Sequence, residues 1–127
     1  MAPPLVRRSA LLANIARILV AVPLVEYARR QLSLSEATTR LRKKGRLAPA
    51  RTAQERRELR RAIGAVDRRM PGGPNCVRRS LLEVCLDGGA ARERLFAGFR
   101  SGGGPASGHA WLESDPSNER FDAVFTV

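Results

Sequence analysis

The sequence predicts an α+β fold in which helices pack on a small antiparallel sheet. Apolar residues recur with a helical period as far as Leu86 and alternate with a period of two from about Arg94 onward. The run Pro-Gly-Gly-Pro at 71–74 and the run Asp-Gly-Gly at 87–89 bracket the last helical segment. A chain of 127 residues forms one domain with one core.

Two helices are predicted in the first 50 residues. The first covers residues 9–32, with a kink at Pro23. Ser33 and Glu36 have the Ser-x-x-Glu spacing of a capping box and start a second helix that ends near Gly45. We interpret residues 1–50 as a basic helical region and residues 51–127 as the core, within one compact domain.

Two further helices are predicted in the core. Thr52 and Glu55 repeat the capping-box spacing, and one apolar stripe behind them predicts a helix from Thr52 to about Arg69. The helix that follows the Pro-Gly-Gly-Pro break is apolar over much of its girth, which predicts that it is the central one. Gly88 is the expected residue just past its end.

Three strands are predicted after Gly89, over residues 94–100, 108–113 and 121–127. A glycine-rich loop at 101–107 joins the first two, and a turn at 115–118 joins the second to the third. Because strands linked by short connections usually pair, we expect a meander in which each strand pairs with the next along the chain.

The charge is strongly positive and unevenly distributed. The chain holds 23 Lys and Arg against 12 Asp and Glu, a net charge of +11, and residues 1–70 hold 17 basic and 5 acidic side chains. This pattern indicates an acidic or polyanionic partner, or only an arginine-rich coding bias. A small nucleic-acid-binding protein is therefore one alternative function, although no recognised reader motif or aromatic platform supports it.

The sequence favours a cytoplasmic protein. Arg7 and Arg8 precede an apolar stretch, but Asn14 and Arg17 interrupt it, and the uncharged run Ile18–Val25 is too short to span a bilayer. We expect this helix to be buried in the domain, and a helix lying on a membrane surface stays open. The two cysteines lie nine positions apart on one predicted helix, so we expect no disulfide and no metal site.

Cys76 is the candidate nucleophile. A thiol attacks as the thiolate, and the N-terminus of a helix favours negative charge through its unpaired N–H groups and aligned peptide dipoles. Cys76 lies where the Pro-Gly-Gly-Pro break meets the helix. Asn75 is expected to cap that helix, to donate to an oxyanion, or both. Cys85 is interpreted as a small buried hydrophobe, which is also the competing interpretation of Cys76.

His109 is the single histidine and the candidate base. On the meander, Asp122 would lie beside His109 on the next strand and orient its imidazole, with Asp115 and Glu119 as rivals for this role. Trp111 is expected to contribute to the core, or else to a platform for substrate.

The motif Asn75-Cys76-x-x-Arg79-Ser80-Leu81, followed by His109-Ala110-Trp111-Leu112-Glu113, resembles the transglutaminase-like leader peptidases of lasso-peptide biosynthesis, the B proteins. The resemblance covers about residues 50–127. It implies a transglutaminase/papain-like core with Cys76 as nucleophile, His109 as base and Asp122 as third member, acting without a cofactor.

The resemblance also implies a function and partners. The protein would cleave the leader from a ribosomally made precursor peptide through an acyl-enzyme, so that an asparagine-synthetase-like cyclase can close the macrolactam. Because the residues before Ser9 are too few to encode the winged-helix domain of the fused form, it looks like the split form, which depends on a separate winged-helix leader-binding protein. A transacylase or a noncatalytic scaffold of the same fold is the remaining alternative.

Overall fold

A computed structural model of the protein describes residues 4–100, 107–115 and 120–127. Within these residues the chain forms four α-helices, a short 3-10 helix and three strands. The elements are α1 (Pro4–Gln31), α2 (Leu34–Gly45), α3 (Ala53–Arg68), α4 (Cys76–Leu86), the 3-10 helix (Ala90–Arg92), β1 (Leu95–Arg100), β2 (Ser107–Leu112) and β3 (Ala123–Thr126). The predicted α+β class is confirmed.

The predicted helix starts are confirmed where a cap was visible in the sequence. Ser33 caps α2, its hydroxyl accepting a hydrogen bond from the Glu36 N–H at 3.1 Å. Thr52 and Glu55 make both arms of a capping box at the start of α3. The first helix starts earlier than predicted, and Pro23 lies within it.

Helix α4 is the centre of the molecule, as the sequence predicted. It packs against α1, α2, α3 and β2. Leu81, Leu82 and Val84 are fully buried along it. The core also includes residues of every other helix and of both β1 and β2: Ile18, Val25, Leu41, Leu59, Ala90, Leu95 and Leu112.

The predicted meander is wrong, because the sheet has the order β2-β1-β3 with β1 in the centre. Strand β1 pairs with both neighbours in antiparallel orientation. The outer edge of β2 is occupied by α4, whose Cys76 and Ser80 hydrogen-bond Ala110. Strand β3 therefore pairs with the other edge of β1. The predicted loop at 101–107 and turn at 115–118 lie mostly outside the described residues.

Gly88 follows α4 as predicted, but for a different reason. The left-handed backbone that favours glycine at helix ends occurs, within the described residues, at Gly72 and Gly73 and not at Gly88. Instead, a Cβ on Gly88 would lie 2.2 Å from the carbonyl oxygen of Ala48. Glycine is required here because the loop before α3 packs directly on the backbone that leaves α4.

Candidate active site

The N-terminus of α4 is built around Asn75. Its backbone is extended, and its side-chain oxygen accepts a hydrogen bond from the Arg78 N–H at 2.9 Å, so it is the N-cap of the helix. Cys76 is consequently the first helical residue, at the end where peptide N–H groups lack partners within the helix. The predicted cap is confirmed, and the oxyanion role of Asn75 stays a prediction.

Asp67 fixes this N-terminus from the last turn of α3. Both of its carboxylate oxygens accept from the Asn75 N–H, at 3.2 and 3.0 Å, and the side chain is fully buried. Between the two helices the backbone turns through Gly72 and Gly73, whose φ angles of 85° and 81° suit glycine. The end of α3 therefore determines where Cys76 lies.

Arg78 is a buried cation one turn into α4. It donates to Asp67 at 2.7 Å and to Glu26 of α1 at 2.7 Å. Glu26 also accepts from Arg29, and the hydrogen bonds from Arg29 and Arg78 outweigh burial and lower the pKa of Glu26 from 4.5 to about 2. This network joins three helices at the point where the candidate nucleophile begins α4.

Sequence reasoning singled out Arg79, which is 47% exposed, and missed the roles of Arg78 and Asp67. A signal was available, since Arg78 shares the buried stripe of α4 with Leu81, Leu82 and Cys85. A charged side chain on an apolar helix face requires a buried partner of opposite charge.

The free edge of β2 is closed by side chains of α4. The Ala110 N–H donates to the sulfur of Cys76 at 3.4 Å, and the Ser80 hydroxyl donates to the Ala110 carbonyl at 3.4 Å. The partner that the structure shows for the Cys76 sulfur is thus a backbone N–H group, and not the imidazole of His109.

His109 lies on the face of the sheet opposite the buried side chains of Ala110 and Leu112. Its half-buried ring lies nearly parallel to two neighbouring aromatic rings, with centroids 5.7 Å from Trp111 and 6.2 Å from Phe121, and these two rings lie 5.2 Å from each other. Phe121 reaches this position over Gly98, where a Cβ would lie 2.6 Å from the ring. The two aromatic rings hold the imidazole plane.

Cys76, His109 and Trp111 line one cavity of about 360 Å³. This volume lies near the lower end of the range for ligand pockets. The structure therefore brings together the predicted nucleophile and the predicted base. Trp111, which was expected in the core or else on a substrate platform, is half-buried at this cavity and is not among the described core residues. The other lining residues are Arg60, Ile63, Gly64, Arg79, Ser80, Glu83, Ala110, Leu112 and Asp115.

The predicted side-by-side placement of Asp122 and His109 on neighbouring strands is wrong, since β1 separates β2 from β3. Asp122 lies in an exposed bend before β3, where its N–H donates to the Phe99 carbonyl at 2.9 Å, and it is not among the described residues that line the cavity. Its rival Asp115 lines the cavity, whereas Glu119 lies outside the described residues. The catalytic role of Asp122 stays a prediction.

A second ion network forms the cavity wall beside Ser80. Glu83, 5% exposed, accepts from Arg60 at 2.5 Å and from Arg56 at 3.0 Å. Arg60 also donates to the Ser114 hydroxyl at 2.7 Å, which connects the wall to the turn after β2. The Glu83 carboxylate accepts hydrogen bonds from two guanidinium groups and holds Arg60 in the cavity wall. Because these bonds occupy its oxygens, Glu83 is a poor candidate for the catalytic base.

Cys85 is buried, and its burial raises the pKa of its thiol, so this side chain is held in the unreactive protonated form. Cys76 is partly exposed to the cavity. No group of three His, Cys, Asp or Glu side chains suited to a metal occurs within the described part of the chain.

Four helices and a small three-stranded antiparallel sheet, with a helix-tip cysteine packed on the edge of that sheet, define an α+β fold consistent with a transglutaminase-like core. A comparison with family models agrees, because residues 18–119 match the Transglutaminase-like superfamily, and the chain belongs to that family. The superfamily includes cysteine peptidases. Comparisons with curated proteins and with solved structures gave no match.

Proposed function

We propose that this protein is a cysteine peptidase that removes the leader from a lasso-peptide precursor. The observation that supports it best is the shared cavity of Cys76 and His109, with Cys76 at the first residue of α4. The motif around these residues directs the proposal to the B proteins. The proposed partners are the precursor peptide, a winged-helix leader-binding protein and an asparagine-synthetase-like cyclase.

The proposed reaction begins when the Cys76 sulfur attacks the scissile carbonyl and His109 accepts the thiol proton. The unpaired N–H groups in the first turn of α4, with Asn75, stabilise the oxyanion. His109 then protonates the leaving amine, which frees the core peptide and leaves the leader as a thioester on Cys76. Water, deprotonated by His109, hydrolyses the thioester and restores the thiol.

The third member of the proposed triad is Asp122, with Asp115 as the competing acid. Asp115 lines the cavity, whereas Asp122 lies in the bend before β3. Replacing each acid separately therefore shows which of the two orients His109. We expect Asp122→Asn to lower kcat at least about tenfold and Asp115→Asn to leave kcat within about threefold. The reverse result would assign the role to Asp115.

The test of the peptidase proposal is cleavage of the precursor in the presence of the leader-binding protein, followed by mass spectrometry. We expect Cys76→Ala and His109→Ala to abolish cleavage. Cys85→Ala is the matched control, because it removes a buried thiol that does not line the cavity and should lower stability while cleavage persists. Full cleavage by either site variant would contradict the proposal.

Alkylation distinguishes an enzyme from a scaffold of the same fold. In the folded protein at neutral pH, iodoacetamide should modify Cys76 rapidly and Cys85 slowly, since burial keeps the Cys85 thiol protonated. After unfolding in urea, both should react at similar rates. Equal and slow modification of both cysteines in the folded protein would favour a noncatalytic scaffold.

A further inference from the structure

The outward face of α1 is apolar over most of its length. Leu5, Leu12 and Val20 are 77%, 66% and 78% exposed. Other exposed apolar residues on the helix are Val6, Leu11, Leu19, Leu24 and Tyr27. On the opposite face Asn14, Ile18, Ala21, Val25 and Ala28 are buried, whereas residues 4–9 are exposed. A helix that is apolar on both faces is ordinarily covered on both, and the described part of the chain covers only one.

The charges on the surface of α1 are basic. Arg8, Arg17 and Arg30 are exposed. Glu26 is the sole acidic side chain of the helix, and it is engaged by Arg29, Arg30 and Arg78. The exposed surface of α1 therefore combines apolar and cationic side chains, which is the composition of helices that lie in the interface of an anionic membrane.

The shape of this surface favours a bilayer over a groove in another protein. From Leu5 to Tyr27 the outward face extends for roughly 33 Å along the convex side of one helix. A lipid interface adapts to a convex ridge, whereas a protein partner would need a long complementary groove. A second copy of this chain is disfavoured, because each carries a net charge of +11.

By length and composition alone, α1 is also the single helix within the described residues that could cross a membrane, and core helices and signal sequences pass the same test. The contacts of its inner face show that α1 does not cross a membrane in this fold. That face packs on α3 and α4 and carries the buried Asn14 and the Glu26 ion pairs. Such a helix is held in the domain and can offer only its outer face to lipid.

We propose that α1 docks the protein on an anionic lipid bilayer. The outward apolar face enters the boundary between headgroups and acyl chains, and the exposed arginines contact lipid phosphates. Tyr27 lies on the exposed face, where its ring and hydroxyl suit the interface. Docking of this kind leaves the Cys76 cavity to its own substrate, since no residue of α1 is among the described residues that line it, and it does not depend on the proposed peptidase activity.

The test is flotation of the full chain with vesicles of phosphatidylcholine, or of phosphatidylcholine and phosphatidylglycerol in equal parts. We expect binding to the anionic vesicles and little to the neutral ones. The double variant Leu12→Gln/Val20→Gln should bind at least about tenfold more weakly, because two apolar side chains no longer enter the lipid while helix propensity is kept. The control Leu47→Gln, at a loop residue that is 88% exposed, should bind as the wild type does.

A second pair of variants tests whether the arginines of α1 cause the preference for anionic vesicles. Arg8→Gln/Arg17→Gln should weaken binding and reduce its salt dependence, whereas Arg57→Gln/Arg61→Gln, at exposed positions of α3, should change both less. Circular dichroism establishes that each variant is folded. The proposal is overturned if the wild type does not float with anionic vesicles at low salt, or if the α1 and control variants bind equally. A dimer that Leu12→Gln/Val20→Gln disperses, without vesicle binding by the wild type, would also overturn it.

Discussion

Two buried charges, Asp67 and Arg78, position the candidate nucleophile without touching it. Asp67 joins the end of α3 to the Asn75 N–H, and Arg78 joins α4 to Asp67 and to Glu26. A buried ion pair adds little net stability compared with a well-packed apolar pair, but the loss of one partner leaves an uncompensated charge. Its function here is geometric, since it sets where α4 begins.

Asp67→Asn should lower the free energy of unfolding by about 3 kcal/mol, because the buried Arg78 guanidinium then keeps only Glu26 as a counter-charge. Urea unfolding followed by circular dichroism measures this change. Asp115→Asn is the control, as an exposed acid that lines the same cavity, and should change stability by no more than about 0.5 kcal/mol. Equal effects of the two substitutions would contradict the positioning role of Asp67.

At the scale of residues, the sequence predicted what local chemistry determines. Asn75 and Cys76 were found because a helix break, a cap and a cysteine stand next to one another in the chain. The ion pairs of Arg78 were not found, because its partners are 11 and 52 positions away. The placement of Asp122 failed for the same reason, since it depended on which strands pair.

At the scale of elements, helix limits were predicted within a few residues wherever a cap was visible, because capping is a local interaction. The order of the strands was not predicted, because it depends on which edge of each strand is free to pair. Cys76 and Ser80, one turn apart on α4, occupy the outer edge of β2 at Ala110. The helix that carries the nucleophile thereby also determines the topology of the sheet.

The crossing of α2 and α4 depends on Gly45. A Cβ at this position would lie 1.8 Å from the carbonyl oxygen of Val84, which is backbone of α4 and cannot rotate away. Gly45→Ala should therefore destabilise the protein by about 2 kcal/mol or more. The measurement is the free energy of unfolding in urea.

Gly64→Ala is the matched control within α3. The nearest atom to its new Cβ would be the mobile end of the Arg68 side chain, at 3.5 Å. Alanine should then stabilise the helix by about 0.5–1 kcal/mol relative to glycine. Stabilisation by both substitutions would show that helix propensity, and not the close approach of α2 to α4, dominates at Gly45.

The contact between α1 and α4 should make stability depend on pH. The pKa of Glu26 is lowered from 4.5 in the unfolded chain to about 2 in the folded protein, mainly by the hydrogen bond from Arg29 and also by Arg78. The ionised Glu26 side chain therefore contributes fully to the free energy of unfolding at pH values above 4.5, its pKa in the unfolded chain. That contribution is lost as the pH falls from about 4.5 through about 2.

Unfolding in urea at pH values from 6 to about 2 tests this dependence. Glu26→Gln should be less stable than the wild type at pH 6, and the difference should narrow as the pH falls. Glu58→Gln, at a carboxylate whose hydrogen bond is to Gln54 on the same helix, should track the wild type throughout. A difference between Glu26→Gln and the wild type that is constant with pH would contradict the assignment.

At the scale of the whole molecule, α4 is fixed at both ends by ion networks. Near its N-terminus Arg78 engages Glu26 and Asp67, and near its C-terminus Arg56 contacts Glu83 and Asp87. Some of the basic side chains of the N-terminal half are therefore paired inside the fold. Part of the positive charge of residues 1–70 therefore pairs with acidic side chains of residues 71–127, while the whole chain keeps a net charge of +11.

The position of α1 bears on whether residues 51–127 form a core by themselves. Ile18 and Val25 are fully buried, and Glu26 is a counter-charge for Arg78. Burial of each aliphatic side chain contributes about 1.5–3 kcal/mol, whereas a whole domain is stable by only about 5–15 kcal/mol. We therefore interpret the basic helical region as part of one cooperative domain.

Deletion of residues 1–32 should abolish cooperative unfolding, because it removes Ile18 and Val25 from the core and leaves Arg78 with one carboxylate partner in place of two. Deletion of residues 1–8 is the control, since residues 4–8 are exposed, and it should change the free energy of unfolding by no more than about 0.5 kcal/mol. Differential scanning calorimetry of both deletions gives the measurement. A sharp transition in the chain that begins at Ser33 would mean that the remaining helices and the sheet fold autonomously. In that case α1 would pack on the core without being required for its folding.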